Sequence, residues 1–324
     1  MITIYAKNVR EALPQGLRLL RDIGKEEPSR AGPVLVAPCP VVTVYSEPCQ
    51  RVLLSAERDA NPFFHLAEAL WMLAGREDAA FLNKFIPDFT NRFAESDGRM
   101  HGAYGFRWRR HFMKDQIKAV IQVLQQEKTS RQALLTMWNP NVDLAIPGLK
   151  DRPCNTQIYL RIQENALDMT VTCRSNDILW GAYGSNAVHF SILQEYLAAW
   201  LQVKVGIYYQ FSNNFHAYVN ELAKHKGHMM FDIREVVALP LVNNIFSFDS
   251  ELTQLLLNSI QPTENEFLAQ TAYPMLMAHT CWRIKEYKTC LEWLRDIASP
   301  DWRLACTEWC ERRLVRRNID VLAS

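Results

Sequence analysis

The chain has 324 residues, 48% of them hydrophobic and 22% charged, enough apolar material for one large packed domain or for a domain with an extension. A formal net charge of +1 creates no global field toward nucleic acid or a membrane surface, so an acidic ligand has to be met by local arginines. Eight cysteines without a CxxC pair do not form a compact disulfide framework, Met1-Ile2-Thr3-Ile4-Tyr5-Ala6-Lys7 lacks the charge and apolar core of a signal peptide, and no apolar run approaches the ~18 residues of a membrane span. The expectation is a reduced, cytoplasmic protein with free thiols.

Taken in order, Leu13, Leu17, Leu20 and Ile23 repeat at helical spacing and predict a helix over Asn8 to Gly24. A Pro/Gly-punctuated loop from Lys25 to Pro33 leads into two β-branched strands, Val34 to Val36 and Val41 to Tyr45. Asn61-Pro62 opens a helix that is apolar nearly all round, ends near Gly75 and carries Glu68 inside it, which predicts burial. A helix around Ala79 to Phe85, a polar loop from Asn91 to His101 and a helix from Lys114 to Gln126 follow. Leu134 to Trp138 reads as a short strand, and Ile158 to Gln163 and Leu167 to Cys173 as two strands joined across Glu164-Asn165-Ala166. Beyond them come a long helix from Ala187 to Gln202, a strand from Val205 to Phe211 and a helix from Asn214 to Lys226. After residue 245 the chain is helical with interspersed tryptophans and ends in a basic run, Arg312 to Arg317, expected to be a solvated helix face. Residues 1–245 thus read as one domain and 246–324 as a helical extension.

Chemistry concentrates between Asp151 and Asn186. A lone cysteine in a strand-rich region is usually a small core residue. Cys154, however, follows Pro153, is followed by Asn155-Thr156-Gln157, and has Arg152 and Arg174 within one hairpin; a guanidinium beside sulfur favours the nucleophilic thiolate. Cys173, in an alternating strand, reads as structural. Arg174-Ser175-Asn176-Asp177 combines a cation, a hydroxyl and an amide suited to gripping a phosphate, although by itself it is also an ordinary turn.

Six pieces in this order, Leu66 to Leu73 with Gly75, Gly98 through Tyr104-Gly105 to Trp108-Arg109, Ser130-Arg131, Pro153-Cys154, Arg174 to Asp177 with Gly181 and Asn186, and His216-Ala217-Tyr218, resemble the thymidylate synthase family, in particular its pyrimidine-nucleotide hydroxymethylase branch. The match runs discontinuously from about Ser29 to Asn220. The resemblance implies an α/β (α+β) fold, a mixed sheet packed with helices, here with a C-terminal helical extension, and a homodimer paired through that sheet. It implies that Cys154 adds to carbon 6 of a pyrimidine 5′-monophosphate, with 5,10-methylenetetrahydrofolate as one-carbon donor. Arg30, Arg174, Ser175 and, from the partner subunit, Arg131 match phosphate ligands. Asn186 matches the reader of the pyrimidine edge, His216 and Tyr218 the sugar contacts, Glu68 and Tyr104 the groups that organise water and proton transfer, and Asp177 a residue on the folate side.

The departures point to water rather than hydride as the group that adds last to the transferred carbon. The family's histidine after the cysteine is Asn155, the second arginine after Ser130 is Gln132, and a tryptophan that lies against the folate aligns near Thr90. The segment from Gly181 to Asn186 is one residue longer than in the synthases, and a helical tail stands where their short C-terminus folds over the folate. Keeping water out is what lets hydride transfer win. The expectation is therefore hydroxymethylation, with dUMP favoured and dCMP or CMP close behind; a true thymidylate synthase is the alternative. A nucleic-acid cytosine methyltransferase shares the Pro-Cys nucleophile, but the neutral charge, only 12 glycines and the lack of GxGxxG count against it. A dead nucleotide-binding relative would not need Cys154, Arg174, Glu68 and Tyr104 together.

Overall fold

The computed structural model describes residues 1–144, 146–226 and 238–317. Its strands are β1 (Ile2–Ala6), β2 (Lys25–Glu27), β3 (Val34–Val36), β4 (Val41–Tyr45), β5 (Leu134–Thr136), β6 (Asn155–Gln163), β7 (Ala166–Cys173), β8 (Asn176–Asp177), β9 (Lys204–Ser212) and β10 (Phe215–Tyr218). Six build a mixed sheet in the order β1-β4-β9-β7-β6-β5, and four build a small sheet in the order β2-β3-β10-β8. The fold is mixed α/β with a helical C-terminal extension, as expected.

The main helices are α1 (Val9–Ile23), α2 (Pro62–Leu73), α3 (Gln116–Gln126), α4 (Asn186–Leu201), α5 (Ile245–Asn258), α6 (Tyr273–Arg283), α7 (Tyr287–Arg295) and α8 (Pro300–Arg316). Asn8 caps α1 by accepting from the N–H groups of Arg10 and Glu11, and Asn61 caps α2 by accepting from Phe64, with Pro62 in the first turn where its missing N–H costs nothing. In α2 every residue except Glu68 is buried. The reason is that α2 is covered twice. It packs on α4 inside, and α6 and α8 of the extension lie on its other side. Phe63 meets Trp309 edge-on at 5.4 Å and His279 at 5.2 Å. The extension therefore completes the core around the helix that carries Glu68.

Several local expectations change. Lys25–Glu27 is a strand, antiparallel to β3, and Phe89–Phe93 forms a helical turn at the edge of the supposed loop. The segment from Asn214 is not a helix: Phe215–Tyr218 is strand β10, inserted between β3 and β8, and only Val219–Leu222 is helical. Phe215, Val219 and Leu222 sit at helical spacing, but Phe215 and Ala217 also alternate, and two waiting strand edges decide for the period of two. The basic run of α8 is not simply solvated. Arg312 pairs with Glu308 and Asp59, and Arg313 reaches Asp59 at 2.9 Å.

Candidate active site

Cys154 sits where a loop enters β6. Pro153 precedes it, and the pairing of β6 with β7 shifts register between Asn155 and Gln157, a bulge of the kind that re-aims side chains. The Cys154 Sγ lies 3.8 Å from Arg174 Nη2, and the backbone N–H of Arg174 donates to the Cys154 carbonyl at 2.8 Å. Burial pushes the Cys154 thiol above its ordinary range, Arg174 pulls it down, and Asp151 pushes it up. Burial is the larger influence, so the net direction is upward. Arg152 plays a different part from the one expected: its guanidinium donates to the carbonyls of Asp143 and Ile146, and it approaches the sulfur only through its own carbonyl, at 3.9 Å. Arg174 is exposed, held by the Pro153 carbonyl at 3.1 Å and stacked 5.5 Å over Trp138.

Tyr104 lies under Cys154. Its hydroxyl oxygen faces the backbone N–H groups of Cys154 (3.1 Å) and Asn155 (3.2 Å) and the side-chain amide of Asn155 (3.0 Å). The turn that carries it passes so close to α2 that a Cβ on Gly105 would lie 1.9 Å from the Met72 carbonyl oxygen, so only glycine fits. Asn155 then donates to Asn186 at 3.2 Å, which donates to Asn176 at 3.1 Å. Asn186 opens α4, and one turn on, His189 places Nε2 3.0 Å from the Glu68 carboxylate of α2. Asp151 accepts from the Gly102 N–H at 3.0 Å, and burial raises its carboxyl above the usual range.

The small sheet gathers the remaining candidates. Pairing of β8 with β10 sets Asp177 beside His216, and Tyr218 meets His216 edge-on at 6.0 Å. Ser175 lies between β7 and β8, directly after Arg174. One Asp177 oxygen accepts from the N–H groups of Leu179 (2.9 Å) and Trp180 (2.6 Å); the other is buried without a partner, as is His216 Nδ1. Burial raises the Asp177 carboxyl, against the pull of those two N–H groups and His216. Arg30 is exposed in the loop before β3, a loop tied to this sheet by the Val219 N–H donating to the Pro33 carbonyl at 3.0 Å. Arg131 is exposed ahead of edge strand β5, and among the described residues neither its side chain nor that of Arg30 is linked to the other candidates by a hydrogen bond or ion pair.

A thiol under an arginine, an amide floor and a Glu-His pair, assembled in the expected chain order, coincide with a sequence comparison: the family profile of thymidylate synthase matches residues 45–265. The chain belongs to the thymidylate synthase family. It is a one-carbon transferase of that family, acting on a pyrimidine nucleotide with a folate. It is similar to the deoxyuridylate hydroxymethyltransferase of Pseudomonas phage M6, 41% identical over 97% of this chain and 95% of the relative. The deoxyuridylate hydroxymethyltransferase of Bacillus phage SP01 is 35% identical over 56% of this chain and 50% of its own length. The thymidylate synthase of Francisella tularensis subsp. holarctica is 28% identical over 57% of this chain and 72% of its own. Among the described residues no helix is long and apolar enough to cross a membrane.

Asp151, Asn155 and Asn176, which the sequence placed near the site without a contact of their own, lie in its hydrogen-bonding network, and His189, which it did not single out, lies 3.0 Å from Glu68. His189 carried a signal, three residues after Asn186 on the same helix face. Arg58 carried none: its Nε donates to the Leu179 carbonyl at 2.6 Å and its guanidinium stacks 4.2 Å from the Trp180 ring, next to Asp177. Burial lowers it to about 10. Its neighbour Asp59 is the residue held by Arg312, Arg313 and, at 3.8 Å, Arg316 of α8.

Proposed function

We propose that the protein hydroxymethylates carbon 5 of a pyrimidine nucleoside 5′-monophosphate, dUMP in preference to dCMP or CMP, through a covalent adduct at Cys154. The observation that carries this reading is the placement of the Cys154 sulfur 3.8 Å from an exposed Arg174, with the following residue, Asn155, tied directly to Asn186. Carbon 5 of a pyrimidine is a poor nucleophile until a thiolate adds to carbon 6 and makes it enolate-like. Arg174, with Ser175, Arg30 and Arg131 of a partner subunit in a homodimer, takes the phosphate, and Arg174 also draws the buried thiol toward its anionic form. Asn186 hydrogen-bonds the base edge and stabilises the charge that develops there. His216 and Tyr218 meet the sugar.

The orphaned, buried carboxyl oxygen of Asp177 fits a ring N–H donor, which suits the folate side of the site. Bound methylenetetrahydrofolate supplies the one-carbon unit that carbon 5 receives. Glu68, paired with His189, orders water and moves protons at that carbon. Water rather than hydride as the nucleophile that adds to the transferred carbon, once the folate has left it, is supported by the similarity to the Pseudomonas phage M6 deoxyuridylate hydroxymethyltransferase, which runs over 97% of this chain and so through the helical extension, residues 246–324.

Incubation with methylenetetrahydrofolate and each of dUMP, dCMP, UMP and CMP, with mass spectrometry of the nucleotide and absorbance of dihydrofolate, tests this reading. The expected product is hydroxymethyl-dUMP without dihydrofolate. A methyl product with stoichiometric dihydrofolate overturns hydroxymethylation, and turnover by a Cys154→Ser protein overturns the covalent route.

A further inference from the structure

A continuous row of polar side chains runs beneath the site: Tyr104 hydroxyl, Asn155, Asn186, Asn176, Ser212. The successive contacts are 3.0, 3.2, 3.1 and 2.9 Å. Asn155 is 0% exposed, Asn176 1%, Ser212 1% and Asn186 7%, so the row is largely shielded from solvent. Gly181 makes room for it; a Cβ there would lie 2.6 Å from Asn176 Oδ1 and 3.4 Å from Asn186 Nδ2.

An amide is a donor at one end and an acceptor at the other, so a head-to-tail chain of amides has a polarity that every member shares. In the structure the N–H groups point from Asn155 toward Ser212. Turning all three amides over together keeps every contact at the same distance, with the Ser212 hydroxyl changing from acceptor to donor. The ends do not lock either direction. With the polarity present, three N–H groups converge on the two lone pairs of the Tyr104 oxygen, and Asn155 Oδ1 is buried without a partner. With the polarity reversed, the Tyr104 hydroxyl donates to Asn155 and accepts from two backbone N–H groups, but the Asn155 amide nitrogen takes over the orphaned position.

Asn186 stands in the middle of this chain. A uracil edge offers a carbonyl acceptor and a ring N–H; a cytosine edge offers an amino donor and a ring-nitrogen acceptor. The two edges require opposite polarities of the same amide. We propose that base choice is set by the polarity of the Tyr104–Asn155–Asn186–Asn176–Ser212 chain, which makes Asn155 and Asn176 specificity-determining positioning residues without contact to the base. The inference rests on the reading of Asn186 as the base-edge group.

Aspartate accepts and does not donate, so it fixes the direction of its neighbour. Asn176→Asp keeps the Asn186 N–H pointing toward position 176, as in the structure; Asn155→Asp turns it toward position 155. Both variants add the same charge, so a purely electrostatic effect moves both the same way. The experiment is equilibrium binding of dUMP and of dCMP, without folate, to the wild type and both full-length variants. The expected result is that Asn176→Asp retains the wild-type dUMP-to-dCMP affinity ratio and Asn155→Asp moves it toward the other base by roughly tenfold or more. A wild type that discriminates while both variants move alike, or not at all, overturns the polarity chain alone. A wild type that binds neither nucleotide overturns the nucleotide reading as well. If the aspartate variants do not fold, 15N-labelled wild type decides. Side-chain amide resonances of Asn155 and Asn176 then respond differently to saturating dUMP and dCMP, and identical responses overturn the proposal.

Discussion

The hydroxyl oxygen of Tyr104 accepts a hydrogen bond from the backbone N–H of Cys154 at 3.1 Å, so one side chain fixes the peptide that carries the Cys154 thiol. Removing it in Tyr104→Phe leaves the N–H groups of Cys154 and Asn155 without this partner, at a cost of about 1–3 kcal/mol. A displacement of the sulfur by as little as ~1 Å lowers turnover by roughly 10²-fold. Steady-state kinetics and thermal denaturation of Tyr104→Phe check both; unchanged kcat would remove Tyr104 from the positioning of the thiol.

Arg174 acts on the thiol even without substrate. Burial holds the Cys154 thiol above its ordinary range and Arg174 partly offsets that. Loss of the arginine therefore moves the thiol further up, and the thiolate fraction at any pH below it falls. In Arg174→Ala the pH profile of iodoacetamide alkylation at Cys154 should shift to higher pH. A shift to lower pH would show that Arg174 does not stabilise the thiolate.

The loop ahead of Cys154 hangs on a buried ion cluster. Arg107 and Asp143, both with fully buried side chains, pair at 2.7 Å, and His101 approaches the same carboxylate at 2.8 Å. Burial works against ionising Asp143, but Arg107, the Asn139 N–H and His101 overcome it and hold the carboxyl below the usual range. The resulting stability is present above the ordinary aspartate value of about 3.9 and is lost as pH falls through the lower folded value. Asp143→Asn should cost about 3–5 kcal/mol at neutral pH by leaving Arg107 unpaired, and should flatten the acid limb of a denaturation profile. An unchanged midpoint in urea at neutral pH would refute this.

Asp59 connects the extension to Arg58 and Trp180, beside Asp177. It lies in the left-handed region with φ 48°, a conformation that asparagine tolerates, so Asp59→Asn removes the charge with little strain. The arginines of α8 then lose their shared partner, and Arg58 over Trp180 loses its anchored neighbour. The expected result is a KM for methylenetetrahydrofolate raised several-fold while alkylation of Cys154 is unchanged. Equal effects on both would mean that the tether acts on the whole fold.

The parts of the site that were legible in the sequence are those whose signal is local. Asn61-Pro62 and an apolar stretch around Glu68 announce α2, and a single hairpin between Cys154 and Arg174 brings the two side by side. His216 and Tyr218 were legible as residues but not as a strand, because β10 forms only when β3 and β8 flank it. Asn176 and Ser212 meet from 36 residues apart, and no local pattern encodes that contact. The tie between Arg312 and Asp59, 253 residues apart, was hidden for the same reason: a run of arginines looks alike whether it faces water or a distant carboxylate.

In the large sheet Asn155 of β6 stands opposite Cys173 of β7, and Cys173 opposite Ser212 of β9, so three strands bring these residues into one cross-strand row. A slip of one residue in either pairing turns a strand's side chains to the other face. Such a mispaired sheet would still bury apolar groups but would lose one end of the row that steadies Asn186. On the proposed reading of Asn186, nucleotide binding stabilises the correctly paired sheet over a slipped one.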